Sequence, residues 1–442
     1  MSDTSRIDYI VKSSSPLQGT LTVPGDKSIS HRALMLAAIA DGKTRIHGFL
    51  EGEDTLATMA VLKEMGVIIE REQAGNISVN GVGLHGLKAP AKPLYFGNSG
   101  TSVRLMAGLL AGQKFDTSLT GDPSLTGRPM RRITLPLQQM QADIECSHTG
   151  TLPIVIHGGR KLQAINYDLP VASAQLKSSI LLAGLYAEGT TCIVEPAITR
   201  DHTERMLGYF GCPVVKNGGR ICISAHKLKS RDLEIPGDIS SAAFFIVAAC
   251  IREGSELLLE NIGVNPTRNA VITILKLMGA SIDLENERET CGEPVADIRV
   301  KYSRLQGIDI PEDLVPIAID EFPAILVAAA YANGRTSLTG AAELRVKESD
   351  RIMAMEKGLR SLGIEVESRE DGMTVTGGKP AGATINSFKD HRIAMAFTIA
   401  GLASSDRITV QDCENVNTSF PGFTDRLQQF GTKVETTVRA DG

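Results

Sequence analysis

The sequence predicts an α/β protein made of six similar repeats, because two helix types and the strand-like runs between them recur along the chain. The first helix type is almost wholly apolar and follows a short polar start. Its six copies begin near Ser28, Gly100, Ala174, Ser240, Glu321 and Arg392, at intervals of 72, 74, 66, 81 and 71 residues. Similar segments at such a regular spacing indicate an internal repeat.

The second helix type is amphipathic and ends in a turn before a strand. Five copies carry glycine at that turn, where a left-handed backbone commonly ends a helix: Gly66, Gly211, Gly279, Gly363 and Gly431. The sixth copy has Gln141 at the equivalent position. Strand-like runs such as residues 45–50, 67–71 and 76–82 end at turn residues. Each repeat is therefore predicted to contain two helices and several strands.

Length and composition set the outer limits. A chain of 442 residues is too long for one ordinary core, so six repeats are expected to divide three and three between two domains. The formal net charge of -5 argues against nucleic acid or a membrane surface as a partner. The longest apolar run, residues 242–251, is half of the roughly 20 residues that a membrane span needs.

The amino terminus and the cysteines favour a cytoplasmic protein. Residues 1–6 lack the apolar core of a signal peptide. The seven cysteines include no C-x-x-C pair, which fits a reducing compartment better than a disulfide framework. We expect a monomer.

Metal and covalent chemistry find little support. The histidines show no H-E-x-x-H or His/Cys spacing, and no G-x-S-x-G or Walker loop occurs. Five histidines are interpreted as ordinary side chains: His47, His85, His148, His157 and His226. A cysteine nucleophile is disfavoured because the first cysteine, Cys146, lies beyond the phosphate-type loops of residues 97–132. The sequence predicts neither a metal nor a cofactor.

The polar helix starts are the candidate binding elements. In residues 24–32, Pro24 and Gly25 end a strand, Ser28 or Ser30 can cap the helix, and two cations lie beside the free N–H groups of its first turn. One capped helix near a cation is usually structural, but a set of them favours an anion site. The cations of the set are Lys27, Arg32, Arg128, Arg200, Lys347, Arg351 and Arg392. Asp320 and Glu348 are the candidate acid/base groups among them.

Four motifs closely resemble those of the 5-enolpyruvylshikimate-3-phosphate synthase family. They are residues 24–32 (PGDKSISHR), 97–101 (GNSGT), 344–351 (LRVKESDR) and 390–395 (DHRIAM). The resemblance implies a two-domain inside-out α/β barrel with three βαβαββ repeats in each domain. The chain would cross between domains near Val23 and Pro236, giving a first domain of residues 24–236 and a second of 1–23 plus 237–442. The active site would lie in the cleft between them.

The resemblance also implies a reaction and its residues. The family transfers the enolpyruvyl group of phosphoenolpyruvate to the 5-hydroxyl of shikimate 3-phosphate, on the route to aromatic amino acids. Shikimate 3-phosphate would bind to Lys27, Ser28, Arg32, Ser173, Gln175, Arg200, Asp320 and Lys347. Phosphoenolpyruvate would bind to Lys27, Gly100, Arg128, Gln175, Arg351 and Arg392. Asp320 would accept the hydroxyl proton, and Glu348 and Lys27 are candidates for proton transfer at the enol carbon.

Two positions depart from one branch of the family. Ala174 replaces a second serine, and Thr418 replaces a phosphate-binding lysine, as in the branch typified by glyphosate-tolerant bacterial forms. Gly100 nevertheless keeps the glycine of the sensitive type. We therefore expect glyphosate to inhibit by occupying the phosphoenolpyruvate position.

Two alternatives remain open at this point. The related enolpyruvyl transferase acting on UDP-N-acetylglucosamine is expected to carry a loop cysteine in the first domain and Lys-Asn in place of Lys27-Ser28. Neither feature is present. A non-catalytic repeat protein that binds phosphorylated metabolites would not need Asp320 and Glu348 beside the cations.

Overall fold

A computed structural model of the chain describes residues 6–439, so the expectation about a leader at the amino terminus lies almost wholly outside the described residues. The α-helices of this part of the chain are α1 (Lys27–Ile39), α2 (Glu53–Glu64), α3 (Gly100–Ala111), α4 (Pro123–Thr126), α5 (Arg131–Gln139), α6 (Ala174–Gly184), α7 (His202–Tyr209), α8 (Ile239–Ile251), α9 (Ala270–Leu277), α10 (Phe322–Tyr331), α11 (Arg351–Ser361), α12 (His391–Ala400) and α13 (Phe423–Gln428). In the same residues, no helix has the length and apolar character needed to cross a bilayer.

The strands are short. They are β1 (Arg6–Val11), β2 (Gln18–Leu21), β3 (Asp41–His47), β4 (Ile68–Gln73), β5 (Asn76–Val82), β6 (Leu94–Tyr95), β7 (Thr117–Thr120), β8 (Asp143–Cys146), β9 (Ile154–His157), β10 (Asn166–Asp168), β11 (Thr190–Val194), β12 (Val215–Asn217), β13 (Arg220–Ser224), β14 (Leu233–Glu234), β15 (Glu256–Gly263), β16 (Ser281–Thr290), β17 (Glu293–Lys301), β18 (Arg335–Leu338), β19 (Glu365–Arg369), β20 (Gly372–Thr376), β21 (Ala383–Asn386), β22 (Ile408–Gln411) and β23 (Val434–Arg439).

These strands form six small sheets in the described chain, one for each repeat. Their strand orders are β14-β3-β5-β4, β6-β7-β9-β8, β10-β11-β13-β12, β2-β15-β17-β16, β18-β20-β19 and β21-β22-β1-β23. In the second of these, β6 runs parallel to β7, whereas β7 and β8 each pair antiparallel with β9. A parallel pair needs a crossover connection, and a buried helix supplies it between β6 and β7 (α3), between β10 and β11 (α6) and between β21 and β22 (α12).

The chain divides into two compact units. The first unit contains Gly25–Ile235 together with Glu289–Glu293, and the second contains the other described residues. Each unit has its own hydrophobic core.

Buried helices form both cores. In the first unit α3 packs against α1 and α6, and in the second unit α8, α10 and α12 pack against one another. All thirteen residues of α8 are buried, which is why its sequence is apolar on every face. The helices thus lie inside and the sheets outside, and the predicted inside-out α/β fold with six repeats is confirmed.

The second helix type ends as the sequence predicts. The five glycines at its stops have φ between 72° and 89°, and Gln141 adopts the same left-handed backbone at φ 67°. Its neighbour Ala142 donates an N–H bond to the carbonyl of Leu137 at 3.0 Å, as Cys212 does to Leu207 at 2.8 Å. The glutamine therefore makes the same helix stop as glycine. It does so in a left-handed backbone conformation that is unfavourable for a residue with a Cβ atom.

The predicted cap of α1 was wrong. Asp26, rather than Ser28 or Ser30, accepts the bond from the backbone N–H of Ile29 at 2.8 Å. Gly25 is required before it, because a Cβ there would lie 1.8 Å from the carbonyl oxygen of Gly48. The same tripeptide recurs at Pro236-Gly237-Asp238, where the aspartate caps α8 through the N–H of Ser240. That recurrence was the signal for the true cap.

The cysteine pattern did not predict the one disulfide of the described residues, which joins Cys192 and Cys222. These residues face each other on the antiparallel strands β11 and β13, with Cα atoms 4.1 Å apart. The other five cysteines are free thiols. The disulfide is a single cross-strand link and not a framework.

Candidate active site

The start of α1 places Lys27, Ser28 and Arg32 on one end of the first unit. Lys27 Nζ donates to Asp54 Oδ2 at 2.9 Å. Arg32 lies one turn further on, and its Nη1 donates to the carbonyl of Ser28 at 2.9 Å. The short spacing between these residues therefore concentrates two cations at one helix start.

Hydroxyl groups fix the Arg32 guanidinium. Its Nε donates to Thr203 Oγ1 at 2.7 Å and its Nη2 donates to Ser178 Oγ at 2.9 Å. The pKa of Arg32 is lowered to about 10, mainly by burial, which Glu204 opposes and Arg200 assists. The group still carries its charge at neutral pH, so the first unit holds a buried cation that can bind an anion.

His31 links the starts of two buried helices. Its Nδ1 lies 2.8 Å from Thr58 Oγ1 and its Nε2 lies 3.5 Å from Ser99 Oγ, the cap of α3. Burial, followed by the charges of Lys27 and Arg32, holds the pKa of His31 well below its usual value. The imidazole is therefore neutral and acts as a spacer between polar groups.

The start of α3 gathers two arginines around Gly100. A Cβ at this glycine would lie 3.1 Å from Nη1 of both Arg104 and Arg128. Arg128 Nη2 donates to Asn98 Oδ1 at 2.5 Å, so the loop before α3 orients its guanidinium. The absence of a side chain at Gly100 lets both cations approach the helix start.

Gln175 connects this cluster to α6. Its Oε1 accepts a bond from Arg104 Nη1 at 2.6 Å, and its Nε2 donates to Thr101 Oγ1 at 3.0 Å. Ser173 caps α6 by accepting the N–H of Leu176 at 3.4 Å. The structure thus brings together the starts of α1, α3 and α6 in the first unit.

Arg351 organises the predicted residues of the second unit. Its guanidinium donates to Asp390 Oδ2 at 2.8 Å, to Glu348 Oε2 at 2.6 Å and to Asp320 Oδ1 at 3.4 Å. The side chain is 1% exposed. Burial opposes its charge, but these carboxylates hold the pKa of Arg351 above its usual value. One buried cation therefore fixes both candidate acid/base groups.

The same cluster includes Lys347 and Arg392. Lys347 Nζ lies 3.7 Å from Asp320 Oδ1, and Arg392 Nη1 donates to the carbonyl oxygen of Asp320 at 2.9 Å. The side chains of Asp320 and Glu348 are 13% and 29% exposed, so both remain accessible to a ligand. All five site residues predicted in the second unit are brought together.

Three residues that the sequence reasoning missed support these clusters. Asp390 is fully buried, caps α12 and accepts bonds from Ser349 and Arg351. Burial favours its protonation, but Arg351 holds the pKa of Asp390 below its usual value. Arg104 and Glu321 are the others, and each had a visible signal. Arg104 is the sole charged residue in the apolar α3, and Glu321 precedes the apolar α10 directly.

The position of the missing lysine and the buried thiols also have defined surroundings. Thr418, at the position of the missing lysine, donates its hydroxyl to the carbonyl of Asn415 at 2.7 Å. Burial raises the pKa of Cys212 to about 11 and that of Cys250 to about 12, which keeps both thiols protonated. The described residues contain no group of three His, Cys, Asp or Glu side chains arranged to hold a metal ion.

Comparisons with known proteins agree with the geometry. A family model described as EPSP synthase (3-phosphoshikimate 1-carboxyvinyltransferase) matches residues 11–427. The 3-phosphoshikimate 1-carboxyvinyltransferase of Alkalilimnicola ehrlichii is 58% identical over 419 residues, which cover 94% of each chain. That of Methylococcus capsulatus is 57% identical over 420 residues, covering 95% of this chain and 96% of the relative. A solved structure of EPSP synthase from Acinetobacter baumannii superposes with a TM-score of 0.89 at 53% identity, covering 98% of this chain and 100% of the other.

Proposed function

We propose roles for the individual site residues of this chain, which belongs to the EPSP synthase family. The chain catalyses the family reaction, in which the enolpyruvyl group of phosphoenolpyruvate moves to the 5-hydroxyl of shikimate 3-phosphate and phosphate is released. The comparisons favour this activity over transfer to UDP-N-acetylglucosamine and over a non-catalytic binding protein. The chemistry needs a base for the hydroxyl, an acid for the enol carbon and cations for four anionic groups.

Shikimate 3-phosphate is assigned mainly to the first unit. Its phosphate and carboxylate need cations and N–H donors, which the starts of α1 and α6 supply. The residues proposed to bind it there are Lys27, Ser28, Arg32, Ser173, Gln175 and Arg200. The second unit contributes Asp320 and Lys347. Support comes from the buried, hydroxyl-fixed guanidinium of Arg32, whose conformation is set before a ligand arrives.

Phosphoenolpyruvate is assigned to the arginines around Gly100 and Asp320. A guanidinium presents paired N–H groups that match carboxylate and phosphate oxygens. The proposed residues are Lys27, Gly100, Arg128, Gln175, Arg351 and Arg392. Arg104 holds Gln175 at 2.6 Å, so we assign Arg104 a supporting position beside this group.

The acid/base steps are assigned to the carboxylates of the second unit and to Lys27. Asp320 accepts the proton of the 5-hydroxyl, while Glu348 or Lys27 transfers the proton at the enol carbon. Protonation of that carbon makes its neighbour electrophilic, so the deprotonated hydroxyl oxygen can bond to it. Loss of phosphate together with one proton of the new methyl group then restores the carbon–carbon double bond of the enolpyruvyl ether. The observation that carries these roles is the contact of Arg351 with both Asp320 and Glu348. A phosphoenolpyruvate-binding cation there keeps the base and the acid beside the same ligand.

Selective loss of substrate affinity tests the assignments. Arg128→Ala should raise the KM for phosphoenolpyruvate by at least about tenfold and change the KM for shikimate 3-phosphate by less than about twofold. Arg200→Ala should show the reverse pattern. Arg160→Ala, at an exposed arginine paired with Asp143, is the matched control and should change neither value. The assignments are wrong if Arg128→Ala weakens only shikimate 3-phosphate, or if both variants behave like the control.

We also propose that the protein acts as a cytoplasmic monomer. Five free thiols favour a reducing compartment, although one cross-strand disulfide is present. The clusters around Arg32 and Arg351 each form within one chain, so neither needs a second copy. Light scattering coupled to gel filtration, with and without both substrates, measures the mass; a stable dimer would contradict the proposal.

A further inference from the structure

Glu321 is a buried carboxylate to which the reaction gives no role. It directly follows Asp320, yet its side chain is fully buried, whereas that of Asp320 is 13% exposed. A carboxylate loses much of its hydration on burial and is retained only where cations and hydrogen-bond donors surround it. The partners of Glu321 therefore show what its charge is used for.

A network of alternating charge surrounds Glu321 in the second unit. Its Oε1 accepts the hydroxyl of Ser240 and lies 3.4 Å from Arg268 Nη2. Arg268 Nη2 also donates to Ser240 Oγ at 2.5 Å and lies 3.5 Å from Asp238 Oδ1, the cap of α8. On the other side, Arg392 Nη1 lies 3.7 Å from Glu321 Oε1. The positive charges of the two arginines in this network thus balance the negative charges of its two carboxylates.

Arg392 connects the network to the site. Arg268 is 3% exposed and lies against the buried Ser240, Asp238 and Glu321, whereas the side chain of Arg392 is 11% exposed. Nη1 of Arg392 donates to the carbonyl oxygen of Asp320 at 2.9 Å and forms an ion pair with the Glu321 carboxylate at 3.7 Å. A carbonyl fixes one N–H direction, but only the carboxylate supplies opposite charge, so removing that charge frees the guanidinium to reorient.

We propose that Glu321 is a positioning residue that orients the guanidinium of Arg392 for phosphoenolpyruvate. The inference rests on the proposed binding role of Arg392. Glu321 does not contact the substrate. Its negative charge lies 3.7 Å from Nη1 of Arg392 and favours one orientation of the guanidinium before the ligand binds.

Glu321→Gln tests the proposal because it keeps the shape and removes the charge. The KM for phosphoenolpyruvate should rise about tenfold, while the KM for shikimate 3-phosphate and kcat change less than about threefold. Arg268→Met is the matched control, since it breaks the same network but leaves Glu321 beside Arg392. It should lower thermal stability and change the KM for phosphoenolpyruvate less than about twofold. If both variants raise this KM equally, the network is only structural and the proposal fails.

A double-mutant cycle separates positioning from general damage. In an Arg392→Gln background, Glu321→Gln should add less than about a twofold further change in the KM for phosphoenolpyruvate, because its effect passes through Arg392. Full additivity would overturn the proposal. If Glu321→Gln does not fold, Glu321→Asp keeps the charge on a shorter side chain, and a KM for phosphoenolpyruvate equal to that of the unmodified protein would overturn it instead.

The same assays distinguish this inference from the proposed function. If the unmodified protein releases no phosphate from phosphoenolpyruvate with shikimate 3-phosphate, the function itself fails. If it does so and Arg392→Gln leaves the KM for phosphoenolpyruvate unchanged, the binding role of Arg392 fails. If only Glu321→Gln is silent, the positioning role alone fails.

Discussion

Buried cations and carboxylates hold one another in place in the candidate site. Some of these residues could be identified from the sequence and others could not. Lys27, Arg128 and Arg351 could be predicted, because cations beside glycine- or serine-rich helix starts are visible in the sequence. Asp390 and Glu321 could not be ranked in the same way, since each precedes an apolar helix as an ordinary cap would. Their importance depends on which arginine packs against them, and that contact joins residues 39 and 71 positions apart (Arg351–Asp390 and Arg392–Glu321).

Gly100→Ala tests the crowding at the start of α3. The new Cβ would lie 3.1 Å from Nη1 of both Arg104 and Arg128, so these side chains must shift. We expect some loss of phosphoenolpyruvate affinity and an inhibition constant for glyphosate raised at least about tenfold, or roughly 1.4 kcal/mol. Gly127→Ala is the control, because its Cβ would make only ordinary contacts at 3.8 Å and 4.0 Å. Tolerance of the unmodified protein to millimolar glyphosate would show that Gly100 does not control inhibitor binding.

His31 predicts a pH dependence of stability. The pKa of His31 is well below 6.5 in the folded protein, so below pH 6.5 the unfolded chain binds a proton that the folded protein does not. Its contribution to stability is therefore complete above about pH 6.5 and is lost as the pH falls toward the folded pKa, by at most about 1.4 kcal/mol per unit. Denaturant unfolding between pH 5 and 8 measures it.

His31→Gln should remove this part of the pH dependence, whereas His226→Gln, at an exposed position, should retain it. Parallel pH profiles for the unmodified protein and His31→Gln would mean that His31 is protonated in the folded state as readily as in the unfolded one.

Helix starts and stops were the most predictable elements. Glycine and the polar cap residues act locally, so the sequence alone located the six stops of the second helix type. The cap of α1 was assigned to the wrong residue, because serine and aspartate cap equally well and only the fold shows which side chain reaches Ile29. The Cys192–Cys222 disulfide was unpredictable for a different reason: it depends on the register of β11 against β13, two strands with another strand, β12, between them in the chain.

An exchange of helix-stop residues tests the element-level interpretation. Gln141→Gly should raise the free energy of unfolding by roughly 0.5–1 kcal/mol, because φ 67° disfavours a side chain but suits glycine. Gly211→Gln should lower the free energy of unfolding by about 1 kcal/mol. A Cβ at Gly211 meets nothing within 4 Å, so only the backbone cost remains. The urea midpoint should rise for Gln141→Gly and fall for Gly211→Gln. Shifts of the same sign would contradict the interpretation that both positions make the same left-handed helix stop.

At the scale of the whole molecule, the six repeats could be predicted from the sequence. Each repeat contains a buried helix, each buried helix is an apolar segment, and these segments recur at regular intervals. The closure of the sheets did not follow from the local pattern. β3 pairs with β14, almost 190 residues later, and β1 pairs with β22 and β23 near the other end of the chain. In both cases strands from opposite ends of a unit complete one sheet, so no short stretch of sequence contains both partners. On this point the resemblance to a family implied only that residues 1–23 join the carboxyl-terminal half, and no strand pairing was predicted from it.

Release of phosphate from phosphoenolpyruvate is the most direct test of the proposed site and its chemistry. The unmodified protein should release phosphate only when shikimate 3-phosphate is also present, in proportion to the enolpyruvyl product formed. Asp320→Asn keeps the shape of the base but not its function, and should lower kcat roughly 100-fold or more while both substrates still bind. Asp309→Asn, at an exposed carboxylate, should leave kcat unchanged. Phosphate release that is independent of shikimate 3-phosphate, or near-normal turnover by Asp320→Asn, would contradict the account.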